Sequence, residues 1–496
     1  MAGLKRRYHP LQILFELIKL IKTAAAFAVF LFVIKSGSQS VFITSGRVIF
    51  FLIVGASLVF IVLKWFTHKY ELDDTSFHLY TGVFTKSKRT IPFSKIQNVK
   101  YHASFFHRLL KVTSIRFETG MAEESGTVEF TVVSWEEAAE LEAHVTKTLD
   151  EERSVDCGTD ELERNEQAGN RVIYFTPTKK DTIKASFTSL SFLVLIPVIA
   201  TLYSNINDVI NVEEKAAGIF PYILSSEWIV ILVVVIVVIA SVVFGIARTF
   251  LKYGKYEIAA DAERIYITKG MVEITSFSVL KARVQAIEIK QSALKRLLGL
   301  AEVKLICAGS FDSEETADTS SLYPFLPVER AYELVAEILP MYQVTPEMAR
   351  LPKTALPLRL LWPGWFWIVA TGALGYFRPA VFGIEQSWWI FSVMMLLFLI
   401  VHRLLAFFNA RYMLSEQFIQ FRTGSLSTNL FVSKRDKVIE VAVTRNVFQR
   451  RLGLASIGTI NRANPVHHTG VNDIPVEVAV TFLKWYMARR NEIEVE

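Results

Sequence analysis

The sequence predicts an α+β membrane protein: six transmembrane helices in three hairpins, each followed by a cytoplasmic β-barrel or sandwich with a C-terminal helix. Three observations predict it. Apolar residues gather in runs long enough to cross a bilayer. The polar segments after those runs repeat at fixed spacing. Each polar segment alternates apolar and polar residues before closing with an amphipathic helix.

The composition agrees. Of 496 residues, 52% are hydrophobic and 21% charged, and the mean hydropathy is +0.34. That excludes a disordered or collagen-like chain. Only Cys157 and Cys307 are present, too few for a Cys-ligated zinc finger or iron–sulfur cluster held by this chain alone. Both are expected as unpaired cytosolic thiols. A net charge of +6 is too mild to imply nucleic acid as a partner.

The strongest run is Ile229–Ala247, uncharged throughout. Val48–Phe66, Ser186–Tyr203, Leu361–Phe382 and Trp389–Phe408 resemble it, and Ile18–Ile34 is weaker because Lys19 and Lys22 sit near its start. Trp65, Trp228, Trp362, Trp388 and Trp389 fall at run ends, where indole rings favour the headgroup level. Lys and Arg concentrate on the side of the termini and the large polar segments, as at Lys5, Arg6, Arg7, Lys64, Lys69, Arg248 and Arg411. That bias predicts a multi-pass protein with cytoplasmic N- and C-termini.

The repeat sets the domain plan. Gly82, Gly270 and Gly424 each stand 26 residues before an arginine: Arg108, Arg296 and Arg450. A basic residue, Lys95, Arg283 or Lys437, stands 13 before each arginine, and an N-cap type, Ser104, Ser292 or Asn446, stands 4 before it. The plan is therefore an N-terminal segment with hairpin 1 (1–66), domain 1 (67–150), a linker (151–182), hairpin 2 (183–250), domain 2 (251–343), a linker (344–360), hairpin 3 (361–408) and domain 3 (409–496).

Within each domain the repeat glycines suit turns needing φ > 0. Gln97–His102, Gln285–Lys290 and Ile439–Thr444 predict strands, with Val99 and Tyr101, Ile287 and Ile289, and Val441 and Val443 sharing a face. The stretch around each arginine predicts a short capped helical turn. Gly299 and Gly453 can end it in left-handed geometry, with Lys111 at the matching position of the first copy. Ser134 and Glu137 predict a capping box ahead of the first closing helix. Val328–Leu339 and Val476–Arg489 predict the other two.

The triple pattern, with its R-x-LGLA core at Arg296–Ala301 and Arg450–Ala455, resembles the bacterial PH domain family. Three copies of hairpin plus PH-like domain resemble the YdbT-like membrane proteins over nearly the whole chain. The resemblance implies a bacterial plasma-membrane protein without known catalysis, acting beside a smaller PH-domain membrane partner. It also implies a role in envelope protection against membrane-active peptides.

No P-loop, dinucleotide-binding, nucleophile-elbow or zincin motif occurs. Catalytic, cofactor and metal sites are therefore expected to be absent, and His467–His468 is expected as an ordinary pair of neighbours. The clearest apolar runs carry no ionisable group at their centres, which disfavours an ion relay. The candidates that remain are cationic. Lys95 with Arg108, Arg283 with Arg296, and Lys437 with Arg450 are candidate anion- or lipid-binding positions, or structural repeat positions. As structural positions, the arginines would anchor a turn through backbone carbonyls. Lys86, Lys88 and Arg89, and Lys434 and Arg435, form secondary basic clusters. The leading expectation is a non-enzymatic protein whose PH-like domains bind each other or a partner and contact anionic membrane lipids. The alternative is a transporter or channel component with regulatory PH-like domains.

Overall fold

The computed structural model describes residues 5–35, 40–119, 127–156, 171–188, 227–307, 321–361, 364–378, 387–463 and 465–488. The chain divides into two compact units, residues 1–279 and 280–496.

The first unit opens with β1 (Arg6–Arg7), α1 (Leu11–Ala28) and α2 (Val41–Thr67). It continues through β2 (Lys69–Leu72), β3 (Ser76–Thr81), β4 (Ser87–Pro92), β5 (Ile96–Ala103), α3 (Phe105–Leu109), β6 (Val112–Thr119), β7 (Thr127–Ser134) and α4 (Trp135–Asp156). The second repeat then begins with β8 (Val172–Phe175), α5 (Lys179–Thr188), α6 (Glu227–Tyr253), β9 (Glu257–Ala260), β10 (Arg264–Lys269) and β11 (Ile274–Leu280). Strands β1 to β4 form one antiparallel sheet in chain order. The core of the first repeat joins that sheet to β5–β7 and α4: Phe77 and Ile91 meet Phe117 and Phe130, and Ala138, Leu141 and Val145 close the end. Alternation along β6 puts Ile115 and Phe117 inward while Ser114 and Arg116 point out. Two sheets closed by one C-terminal helix is the PH-like arrangement.

The second unit contains β12 (Val284–Gln291), α7 (Ala293–Leu297), β13 (Leu300–Cys307), β14 (Ser321–Pro327) and α8 (Val328–Ile338). The third repeat follows as β15 (Ala349–Arg350), α9 (Ala355–Leu361), α10 (Trp365–Phe377), α11 (Ser387–Asn409), β16 (Arg411–Leu414), β17 (Phe418–Gly424), β18 (Thr428–Lys434), β19 (Val438–Thr444), α12 (Val447–Arg451), β20 (Leu454–Asn461), β21 (His467–Pro475) and α13 (Val476–Met487). Its core gathers Phe421 and Phe431, Ile457 and Ile474, and Phe482 of the closing helix, with Ala286 and Ile306 contributed by β12 and β13.

Two features exceed the sequence expectation. First, β1 pairs with β2, β8 with β9 and β15 with β16. Each repeat therefore has a short strand before its apolar helices that pairs with the first strand after them. The segments 151–182 and 344–360, expected as linkers, hold β8 and β15, and 1–66 holds β1.

Second, the sheets cross repeat boundaries. One seven-stranded sheet runs β7-β6-β5-β11-β10-β9-β8, and another runs β14-β13-β12-β18-β17-β16-β15. The unit boundary thus falls at the last residue of β11, inside the stretch 251–343 expected as one module. The physical reason is the strand edge. Its N–H and C=O groups need partners, and the neighbouring repeat supplies them.

Among the described residues, α2, the stretch Ala355–Phe377 and α11 are long and apolar enough to cross a membrane. The run Ile229–Ala247 lies within α6, a helix of 27 residues. The weak first run continues α1 into a π-helical turn, Val29–Ile34. The run Ser186–Tyr203 lies beyond Thr188 outside the described residues, as does Cys157.

Candidate functional site

The candidate site is the junction between repeats, built from a glycine turn, a helix end and an arginine. Gly82, Gly270 and Gly424 take φ of 108°, 99° and 113°. A Cβ at these positions would lie 1.9, 1.8 and 2.0 Å from the carbonyl oxygens of Thr85, Glu273 and Ser427. Only glycine fits. Each turn lies at the sheet end nearest the long helices, since the first strand leaves the helix end and the second returns to it. The Met271 N–H donates to Leu251 O on the last turn of α6 at 3.0 Å. Asn409, the last residue of α11, donates its Nδ2 to Ser425 O at 2.7 Å.

The arginines of the preceding repeats reach these same turns. Arg108 Nη1 donates to Met271 O and, at 3.4 Å, to Val272 O. Arg296 Nη1 donates to Ser425 O at 3.4 Å, and its Nη2 donates to Asn409 Oδ1 at 3.2 Å. Met271 and Ser425 are each the first residue after a repeat glycine. A guanidinium fork suits such paired acceptors, and a cation is favoured at the negative end of a helix dipole.

The strand pairing matches as well. Ala103 faces Ile274 and Val99 faces Ser278; Gln291 faces Thr428 and Ile287 faces Val432. Counted from the repeat glycine and arginine, these are the same positions. The two junctions therefore share one register.

Each arginine is aimed by a capped turn. Ser104 accepts from His107 N, Ser292 from Lys295 N, and Asn446 forms a full capping box with Gln449. After the turn, Gly299 and Gly453 take left-handed φ of 66° and 68°. Lys111 takes 55° in the first copy, so a side-chain-bearing residue accepts the strained conformation there. Ser134 caps Glu137 N, while Glu137 Oε1 accepts from Tyr70 OH. Arg450, the third arginine, is exposed on α12, and among the described residues its side chain makes no hydrogen bond or ion pair.

The other basic positions lie elsewhere. Lys95, Arg283 and Lys437 end the 3-10 turns Phe93–Lys95, Lys281–Arg283 and Arg435–Lys437. A strand of seven or eight residues separates each from its arginine, roughly 25 Å at about 3.3 Å per residue. The expected joint cationic sets beside the bilayer are therefore split between opposite sheet ends. Lys86 and Lys88 are exposed at the helix end, with Arg89 half-buried. Lys88 Nζ stands 5.5 Å from the Tyr80 ring centroid. Lys434 and Arg435 lie at the far end, over the rings of Tyr342 and Trp485 at 5.4 and 6.0 Å.

Several residues of the junctions escaped the sequence reading. Buried Glu288 accepts from Asn429 Nδ2 at 2.8 Å across the β12–β18 pair. His467 Nε2 stands 3.2 Å from Glu288 Oε1 and stacks on Phe431 with 7° between planes. Burial pushes the Glu288 carboxyl up, but hydrogen bonds from His467, Lys290 and Asn429 and the charge of Lys290 prevail and hold it at about 2. Ser433 Oγ donates to Gln285 O at 3.0 Å, and Asn461 Nδ2 donates to Ser433 Oγ at 2.7 Å. Asn409 carries a usable signal, a lone amide directly after an apolar run. Glu288 carries a weaker one, a carboxylate inside an apolar strand. The Asn461 network is non-local and carries none.

The chain is similar over 97% of its length to the UPF0699 transmembrane protein YdbT of Bacillus subtilis (strain 168), with 23% identity and 98% of that protein covered. No solved structure matches it significantly. Residues 22–148, 205–342 and 367–490 each match the bacterial PH domain. The chain therefore belongs to the bacterial PH domain family, as a YdbT-like membrane protein with three copies of the domain.

Proposed function

We propose that the chain is a non-enzymatic scaffold of the bacterial plasma membrane. It crosses the bilayer six times with both termini in the cytoplasm, and its PH-like modules couple side by side at the inner leaflet. One observation carries this reading. The junction of β5 with β11 and that of β12 with β18 repeat the same register and the same arginine-to-turn bond. A coupling device used twice is what a protein made to join modules requires. Lys86 and Lys88 supply a second contact, to anionic headgroups, at about 1 kcal/mol per cation near the surface. The partner is a smaller PH-domain membrane protein, and the setting is envelope protection.

Isolation from the native membrane followed by mass spectrometry of protein and lipid together tests this. A PH-domain membrane protein at stoichiometric level is the expected result. Anionic lipid enriched alone would leave a lipid-reading protein instead, and solute flux through reconstituted chain would replace the scaffold with a transporter.

A further inference from the structure

We propose that the outer edge of β19, with Arg450, is a docking site for the strand–glycine turn–strand hairpin of a PH-like domain in another chain, one whose pairing strand is uncharged. This rests on the scaffold reading and names where and how its partner binds.

Three repeats make two junctions and leave one receiving edge open. β5 and β12 each carry a neighbouring hairpin, whereas β19 is an edge strand of a three-stranded sheet among the described residues. Its exposure differs accordingly. Gln285 and Ile289 of β12 are 9% and 4% exposed, while their counterparts Ile439 and Val443 of β19 are 49% and 39% exposed. Val447 and Phe448 of α12 continue the apolar surface. An exposed apolar edge is a template for another strand. The shared register fixes how that strand would lie: the residue facing Val443 is the counterpart of Ser276 and Leu430. Arg450 then meets the first carbonyl after the partner's turn glycine, as Arg108 and Arg296 do.

Charge decides the occupant. The paired stretches Ile274–Ser278 and Thr428–Val432 carry no charged residue. The matching stretch of this chain's first repeat carries Lys86, Lys88 and Arg89. In a second copy, Lys86 would face Arg445 directly, and like charges opposed across strands are destabilising. Lysines on an edge strand also block strand addition. The first hairpin is therefore guarded against β19 of its own kind, and a hairpin without those charges is the one that fits.

The full-length protein in detergent tests this. The triple variant Lys86→Ile, Lys88→Ser, Arg89→Phe copies Ile274, Ser276 and Phe277 onto the first repeat's hairpin. Mixed with wild type, it is expected to form a complex by light scattering, while wild type alone stays monomeric. Val443→Cys in wild type should form a disulfide with cysteine at 88 of a chain that also carries Lys86→Ile and Arg89→Phe, with little product when the second cysteine is moved to 87. Arg450→Ala in the receiving chain should weaken association about tenfold. Lys86→Ile with Lys88→Ser, both at exposed positions, repeats the test if the triple variant unfolds. A charge-free hairpin that binds no better than wild type overturns the proposal. So does a disulfide between a Val443→Cys chain and a Lys88→Cys chain that both keep Lys86 and Arg89, because the occupant is then a second copy. Failure at β19 leaves the two internal junctions in place; the scaffold reading falls only with those, which Arg296→Ala reports.

Discussion

Arg296, on the short helical turn of the second repeat, donates to Asn409, the last residue of the third repeat's long helix α11, at 3.2 Å. Both side chains also donate to Ser425 O, on the turn after Gly424. One carbonyl thus gathers a helix end, a turn and the neighbouring repeat.

Replacing Arg296 with Ala should loosen this junction. Ser425 O keeps its bond from Asn409, but Asn409 Oδ1 loses its donor, so the loss is two charge-assisted contacts at a part-exposed site, about 2 kcal/mol. Amide exchange in β12 and β18 should quicken while β20 and β21 stay unchanged. Arg296→Lys should recover part of the effect, since an ammonium reaches one acceptor without the fork.

The β12–β18 junction should weaken in acid. Glu288 is held at about 2 in the folded chain, against about 4.3 when unfolded. Because the folded value is depressed, the stabilisation is complete above about pH 4.3 and is lost as pH falls toward 2. The full effect is on the order of 3 kcal/mol. Glu288→Gln should flatten the acid limb of the stability curve; an unchanged limb would exclude Glu288 as its source.

Lys111 has φ of 55° where the other repeats use glycine. Lys111→Gly should stabilise the first repeat by about 1 kcal/mol, by relieving the left-handed strain of a residue with a Cβ. Gly424→Ala should do the reverse, because its Cβ would lie 2.0 Å from Ser427 O. A loss of at least about 2 kcal/mol is expected. Thermal unfolding of the two variants checks both signs.

Lipid contact should divide the two basic clusters. Lys86→Gln with Lys88→Gln, at the helix end of the sheet, should reduce co-purified anionic lipid. Lys434→Gln should not, since its ammonium sits over the Tyr342 ring at the far end.

The sequence made the repeat unit legible because its markers are local. A glycine with positive φ, a capping serine or asparagine and an arginine at fixed spacing all act within one turn, and Gly82, Ser104 and their counterparts stand where expected. The arginine-to-carbonyl reading was open in the sequence, but the identity of the carbonyl was not. Met271 O lies 163 residues from Arg108. The sheets that cross repeats escaped for the same reason. Alternation along β5 and β12 says which residues share a face and nothing about which strand lies beside them. The short strands Arg6–Arg7 and Ala349–Arg350 hold two residues each, below the length at which a period of two can be seen.

The central claim is that neighbouring repeats are joined edge to edge through one junction used twice. Hydrogen exchange of the full-length protein in a lipid nanodisc, resolved over residues 96–103, 284–291 and 438–444, tests it most directly. The account predicts strong protection in the first two segments and weaker protection in the third, which is paired on one side only, with residues 284–291 losing protection in Arg296→Ala. Residues 284–291 exchanging as fast as 438–444 in the wild type would contradict it.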